Sequence, residues 1–483
     1  MNNFKISFAS FTATLMLVPM LILFVFFFHL SFNAATPTIV WLLSAAGWLE
    51  YFFCLYLWER KTGQLLCPYT LFLSFAFAFH YGQCLMWAFG IHLPSEIGTI
   101  FPYGSIIAGV PSLVDIIHTQ ALILMGLYTF HLGALWISQK SSGENDLSSW
   151  LSSCVNQNQG YAKDVFIVCM VAFVISTPLV FYEQFNTLLI HRAYGYGALL
   201  YGGLDEGGIH GTRLISWLYV PSIIGLLLST NYKKSIRLLT YGSFIPYMLL
   251  CFASGNRGRI LYTVGFFIWM HHAFYRRINW RKFLLLVGIA VLALPLLVAI
   301  RNIRSRGITL SGLWNAILVE QNPIVSAFFE MGNTMSISTI LVKSGWNIYP
   351  FGNTYLLALP GMISKKLLLL FIPGYSGVSG WFSQEYLRIT YGAGFSMIAE
   401  ALINFGPYFC LVFLVGVGIV YAKMMYIHAG RSMNLLFMFF QICTARMLFT
   451  TCRNTVTAGL KQWFFSTLSI CVLIYLLHQL RKR

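Results

Sequence analysis

Long apolar runs broken by short polar stretches set the character of the chain. Runs of about 20 residues, enough to cross a bilayer as helix, start near residues 9, 38, 68, 118, 164, 212, 236, 259, 281, 392, 433 and 462. The pattern predicts an all-α polytopic membrane protein with about twelve transmembrane helices. Residues 1–300 would carry spans 1 to 9, residues 301–391 a large loop, and residues 392–483 spans 10 to 12. The first run, FTATLMLVPMLILFVFFFHL, is followed by SFNAATP, which lacks a small-x-small cleavage site. It reads as a retained span rather than a signal peptide.

Charge orients the spans. With the N-terminus inside, ERKTG (59–63), NYKKSIR (231–237), RRINWRK (276–282) and the terminal RKR all fall in the cytoplasm, as the positive-inside bias requires. The outer face then receives loop 93–117, loop 184–211, the turn SGNRGR and the loop 301–391. That last connection is far longer than topology needs, and such length usually serves function. Its stretches LWNAILVE, IVSAFFEMG and LLALPGMISKKLLLLFIPG space their apolar residues as short helices do, which predicts a partly helical cap on the outer membrane face. The run 365–372, between Lys365, Lys366 and Pro373, is too short to span.

The chain has 483 residues, is 58% hydrophobic and only 9% charged, with mean hydropathy +0.72; no soluble core of this length would hide so much apolar surface. A net charge of +17 would suggest nucleic acid in a soluble protein. Here topology accounts for much of it, and no nucleic-acid partner is expected. The 10 cysteines lack paired spacing and lie mostly in apolar runs, so they read as small buried residues.

Once topology is assigned, the remaining cations are mostly arginines at or near the outer leaflet: Arg192, Arg213, Arg257, Arg259, Arg301, Arg304, Arg306, Arg388, Arg446 and Arg453. Arginine keeps its charge when partly dehydrated and offers a planar fork of donors to phosphate oxygens. A preference for it points to an anionic ligand, although any single arginine could instead snorkel to lipid headgroups. Arg446 stands inside an apolar run, where a charge costs about 2.5–3.5 kcal/mol on insertion scales, so it should face a polar cavity.

Ser396, Glu400 and Asn404 recur every fourth residue in GAGFSMIAEALINFG, forming one polar stripe on an apolar helix. A carboxylate there either pairs with an arginine as structure or works, taking a proton from a sugar hydroxyl or orienting a catalytic arginine. His191 and Arg192 lie in LLIHRAYGYGALLYGG, a Tyr- and Gly-rich stretch suited to stacking sugar rings, though an exposed or hydrogen-bonded loop histidine accounts for His191 better than catalysis does. No H-x-x-x-H, D-x-D or P-loop appears. Metal-dependent nucleotide-sugar chemistry and ATP-driven work are therefore disfavoured, and no cofactor or metal is expected.

Together SGNRGRIL, the long loop with FIPG, GAGFSMIAEALINFG and RNTVTAGLKQWFF resemble the Wzy-type O-antigen or oligosaccharide repeat-unit polymerases, relatives of the enterobacterial common antigen polymerase. The resemblance covers roughly residues 240–475. Some members carry an Arg and a Gly separated by ten residues in each of two outer loops, and Arg192 with Gly203 and Arg301 with Gly312 fit that spacing. Related O-antigen ligases place a histidine near the start of the striped helix, whereas Gly-Phe-Ser stands here, leaving Glu400 as the substitute base.

The resemblance implies a fold like the GT-C-type glycan polymerases and ligases, and a glycosyltransferase of polysaccharide and lipopolysaccharide biosynthesis in the bacterial inner membrane. Its termini would be cytoplasmic and its active site periplasmic. The growing glycan would pass from undecaprenyl diphosphate to the repeat unit on another lipid carrier, with a chain-length regulator as a further partner. Arg257, Arg301 and Arg453 would hold the diphosphate; Arg192, His191, Arg259, Arg304, Arg388, Ser396, Asn404 and Arg446 would contact glycan or acceptor. The ligase reaction and a flippase or transporter of lipid-linked glycans remain the alternatives.

Overall fold

The computed structural model describes residues 8–101, 107–138, 147–194, 210–254, 257–279, 281, 285, 323–389, 392–427 and 434–482. Among these residues there are helices and turns but no β-strand. In chain order the helices are α1 (Phe8–Phe28), α2 (Pro37–Thr62), α3 (Pro68–Trp87), α4 (Leu113–Ile137), α5 (Leu147–Gln157), α6 (Gln159–Tyr194), α7 (His210–Ser216), α8 (Tyr219–Ser229), α9 (Lys234–Ala253) and α10 (Arg257–Phe274). They continue with α11 (Pro323–Gly332), α12 (Met335–Ser344), α13 (Thr354–Ile363), α14 (Lys365–Phe371), α15 (Met397–Met425), α16 (Leu435–Leu448) and α17 (Ser469–Lys482).

Eight helices among the described residues are long and apolar enough to cross a membrane, which makes this a polytopic membrane protein. Three further expected spans form helices outside that set, at α3, α10 and the broken pair α7 and α8. The expected span starting near residue 281 lies almost wholly outside the described residues, as do Arg301 and Arg304.

Local chemistry explains where elements begin and end. Pro37 and Pro68 open α2 and α3, where a missing N–H costs nothing because the first amides of a helix have no partner. Gly63 closes α2 with φ 72°, the left-handed conformation glycine adopts freely. Ser112 and Asp115 form a reciprocal cap at the start of α4, with the Ser112 N–H donating to Asp115 at 2.9 Å.

The chain folds as two compact units, each assembled from several stretches. The first comprises residues 1–141, 325–427 and 448–458. At its centre α3 and α4 are buried along most of their length. Along α4 runs α15, and glycines set how close the two come: a Cβ at Gly133 would meet the Val415 carbonyl oxygen at 2.0 Å, and one at Gly418 would meet that of Phe130 at 1.9 Å. Membrane helices lacking a hydrophobic drive toward one another gain from such backbone contact.

The second unit comprises residues 142–324, 428–447 and 459–483. Here α6 packs on α8, α9 and α17. Its 36 residues run to Tyr194, so residues 184–194, expected in an outer loop, continue a membrane helix. The end of α17 is fixed by Asp164, fully buried, which forms an ion pair with Arg481 at 2.6 Å and pairs with His478 at 2.8 Å.

Candidate active site

The striped helix proves to be two helices. Gly406 has φ 69° and ψ −179°, a combination open essentially to glycine alone, and Pro407 follows with no N–H to continue the ladder. A short leading helix, 397–405, thus turns at Gly406 into the longer segment 407–425. The polar stripe expected within a straight tenth span therefore lies on this leading piece. The span's expected opening at residue 392 is instead a non-helical stretch, 392–396.

Each stripe residue has a defined task. Ser396 caps the leading helix, accepting from the Ala399 amide at 3.2 Å, and meets Nδ1 of the buried His80 from α3 at 3.2 Å. Glu400 is fully buried, and donors converge on its carboxylate. Thr354 donates to Oε1 at 2.9 Å, the Val456 amide to Oε2 at 2.6 Å, and Thr457 to Oε1 at 3.3 Å. Asn404 takes the Thr354 amide at 2.8 Å and returns its own N–H to the Thr354 hydroxyl at 2.8 Å.

Glu400 therefore ties three segments of the first unit: the leading helix, the start of α13 within the long loop, and the stretch 454–458. Hydroxyls and backbone amides compensate it, and among the described residues no arginine is a hydrogen-bond partner. A carboxylate that accepts several donors is stabilised without a cation.

Arg453 stands immediately before that clamp and is exposed. Its carbonyl accepts the Phe395 amide at 3.2 Å, which fixes it against the approach to the leading helix. Gly394 sits beside it at φ 78°, where a Cβ would lie 3.6 Å from the Arg453 carbonyl oxygen and 3.7 Å from its Nε. Those are ordinary van der Waals separations, so it is the left-handed φ that favours glycine there. Ser379 donates to the Gly394 carbonyl at 3.2 Å, and Ser383 accepts from Ala393 at 3.0 Å.

Ser383 also holds Arg388 nearby in the chain, because its carbonyl accepts the Ile389 amide at 2.9 Å. Arg388 is exposed and has φ 53°, a left-handed backbone costing a non-glycine residue roughly 1–2 kcal/mol. Beneath this corner Trp381 stacks on Tyr386 and meets Tyr349 edge-on. Tyr349 donates to the Ser376 carbonyl at 2.8 Å, and burial pushes its phenol well above the ordinary tyrosine range, so it keeps that proton.

The other expected site residues belong to the second unit. His191 and Arg192 lie in the last turns of α6, and Arg257 and Arg259 in the first turn of α10. Gln184, ten residues before the end of α6, donates to Ser254, which caps the end of α9. Arg446 in α16 donates to Thr263 of α10 at 3.0 Å, a polar partner of the kind its intramembrane position demanded.

Two contributors escaped the sequence reading. Thr354 looks like an ordinary loop threonine, and only its spatial meeting with the stripe gives it a role. His80 stands alone in an apolar run with no spacing to mark it.

The family model of the O-antigen polysaccharide polymerase Wzy matches residues 15–483, nearly the whole chain. The chain belongs to this family. No curated protein and no solved structure matches it. As a Wzy polymerase it is a membrane-embedded glycosyltransferase-type enzyme that joins O-antigen repeat units carried on lipid-linked oligosaccharides.

Proposed function

We propose that this Wzy protein moves the growing glycan from undecaprenyl diphosphate to a second lipid-linked repeat at the periplasmic face of the inner membrane. The reading places both termini in the cytoplasm, about twelve spans in the bilayer, and the long loop outside with a chain-length regulator as partner. An acceptor hydroxyl oxygen bonds to the donor sugar's C1 as the C1–O bond to the diphosphate breaks. The bond pair leaves on undecaprenyl diphosphate, and the hydroxyl proton passes to a base.

The chain's own cations would stabilise that leaving group. Arg453 carries the argument: it is an exposed arginine whose backbone and neighbouring glycine are fixed by a buried hydrogen-bonded clamp. Pre-positioned positive charge stabilises a developing anion more than mobile charge does. Arg257 and Arg301 join it in this reading, with Arg192, Arg259, Arg304, Arg388 and Arg446 on glycan or acceptor. Glu400 acts through the clamp; Thr354, Val456 and Thr457 occupy its carboxylate, which favours a positioning role over that of proton acceptor.

The test is release of undecaprenyl diphosphate by the purified protein from a synthetic lipid-linked repeat, with product length followed in parallel. Diphosphate released in step with lengthening glycan supports the reading. Transfer only to a lipid A core acceptor would show a ligase, and movement of the intact substrate across vesicles without diphosphate release a transporter.

A further inference from the structure

A cavity of about 550 Å³ in the first unit lies away from the clamp, between α1, α2 and α4. Its walls run from Met16 to Phe27 on α1 and from Leu42 to Phe53 on α2. At 1.5 Å per residue that is a trough about 16 Å long, parallel to the helices. The lining is apolar and soft, with Met16, Met20 and Met125 beside Phe24 and Phe53. The flanking Leu15, Leu42 and Leu49 are exposed, so it opens on the apolar outer face of these spans.

One wall residue does not fit a passive lipid crevice. Glu50 lines the cavity, is 6% exposed, and among the described residues neither of its carboxyl oxygens has a hydrogen-bond partner. An ionised carboxylate has no compensation in such surroundings, whereas the acid form presents an O–H to whatever fills the space. A saturated acyl chain offers that O–H nothing. The double bonds of an isoprenoid chain offer π-clouds, which accept weak hydrogen bonds as aromatic rings do, and flexible methionines adapt to the irregular shape of a branched chain.

We propose that this trough binds the isoprenoid tail of a lipid-linked substrate, with Glu50 distinguishing unsaturated from saturated chains. The assignment rests on the polymerase reading for the presence of a polyprenyl carrier. It adds a tail site within the membrane and a residue that reads the tail's chemistry.

The experiment uses the full-length protein in phosphatidylethanolamine and phosphatidylglycerol nanodiscs, a benzophenone-bearing geranylgeranyl phosphate as photoprobe, and peptide mapping of the label. Labelling of the α1, α2 or α4 segments that undecaprenyl phosphate competes away, and its fully saturated analogue competes away less well, is the expected result. Glu50→Leu should retain labelling while the preference for the unsaturated competitor, about threefold for one weak hydrogen bond, disappears. Ala46→Trp, which fills the trough, should remove labelling at these helices.

Label elsewhere, or equal competition by the saturated analogue or excess phospholipid with wild-type protein, would overturn the proposal without recourse to either variant. The assay requires no polymerisation. A protein that labels as expected but releases no diphosphate would sink the polymerase reading and leave the tail site standing, and the reverse outcome would do the opposite.

Discussion

Arg453 and Glu400 make opposite demands on a substitution. If Arg453 meets the departing diphosphate, Arg453→Ala should slow polymerisation by about 10²-fold or more, the scale seen when a pre-positioned donor is lost. Arg453→Lys should recover little, because one ammonium cannot reproduce the fork; single-turnover rates at matched protein levels check this. Glu400→Ala leaves the Val456 amide and the Thr354 hydroxyl without their acceptor, while Thr457 keeps Thr455, at roughly 1–3 kcal/mol per orphaned group. Its loss should therefore lower thermal stability in detergent, while Glu400→Gln, which keeps an acceptor oxygen, should lose less. Similar melting for both variants would contradict the clamp. The stripe itself was legible because a period of four along an apolar helix is a property of sequence alone. Its partners were not, since Thr354 lies 46 residues from Glu400 and no local pattern records which loop meets which helix.

At the scale of elements, the turn at Gly406 and the contact between α4 and α15 are the features most exposed to test. Gly406→Ala places a side chain in a glycine-only backbone region, a strain of about 1–3 kcal/mol, and sets a Cβ 3.2 Å from Trp346 Nε1. It should reduce stability and move the stripe, so activity should fall further than the melting shift alone would explain. Gly418→Leu should be worse for stability, because the Phe130 carbonyl stands where its Cβ must go; a normally folded, normally melting variant would contradict the packing. The apolar runs foretold most helices to within a few residues. They missed the break in α15 because Gly-Pro inside a run is compatible with a kinked span as well as two separate helices. They ended the outer part of α6 too early because polar Glu183 and Gln184 look like a loop, while in the structure they bond to Ser216 and Ser254.

For the whole molecule, the sequence order of spans conceals two interleaved units, since residues 325–427 and 448–458 join the N-terminal helices while residues 428–447 and 459–483 join residues 142–324. Hydropathy reports that a segment crosses, never which segments it packs beside. The proposed arginines are divided accordingly, with Arg388 and Arg453 in the first unit and Arg192, Arg257 and Arg259 in the second. The proposed function assigns Arg257 to the diphosphate, which makes it the most informative residue to change. The measurement is glycan length on a gel from cells lacking the gene and rescued with wild type, Arg257→Ala or Arg257→Lys at equal protein abundance. The account predicts a ladder for wild type and single-repeat glycans for both variants. A full ladder from abundant Arg257→Ala protein would contradict it, and so would a null strain with no surface repeat and lipid-linked repeats held inside.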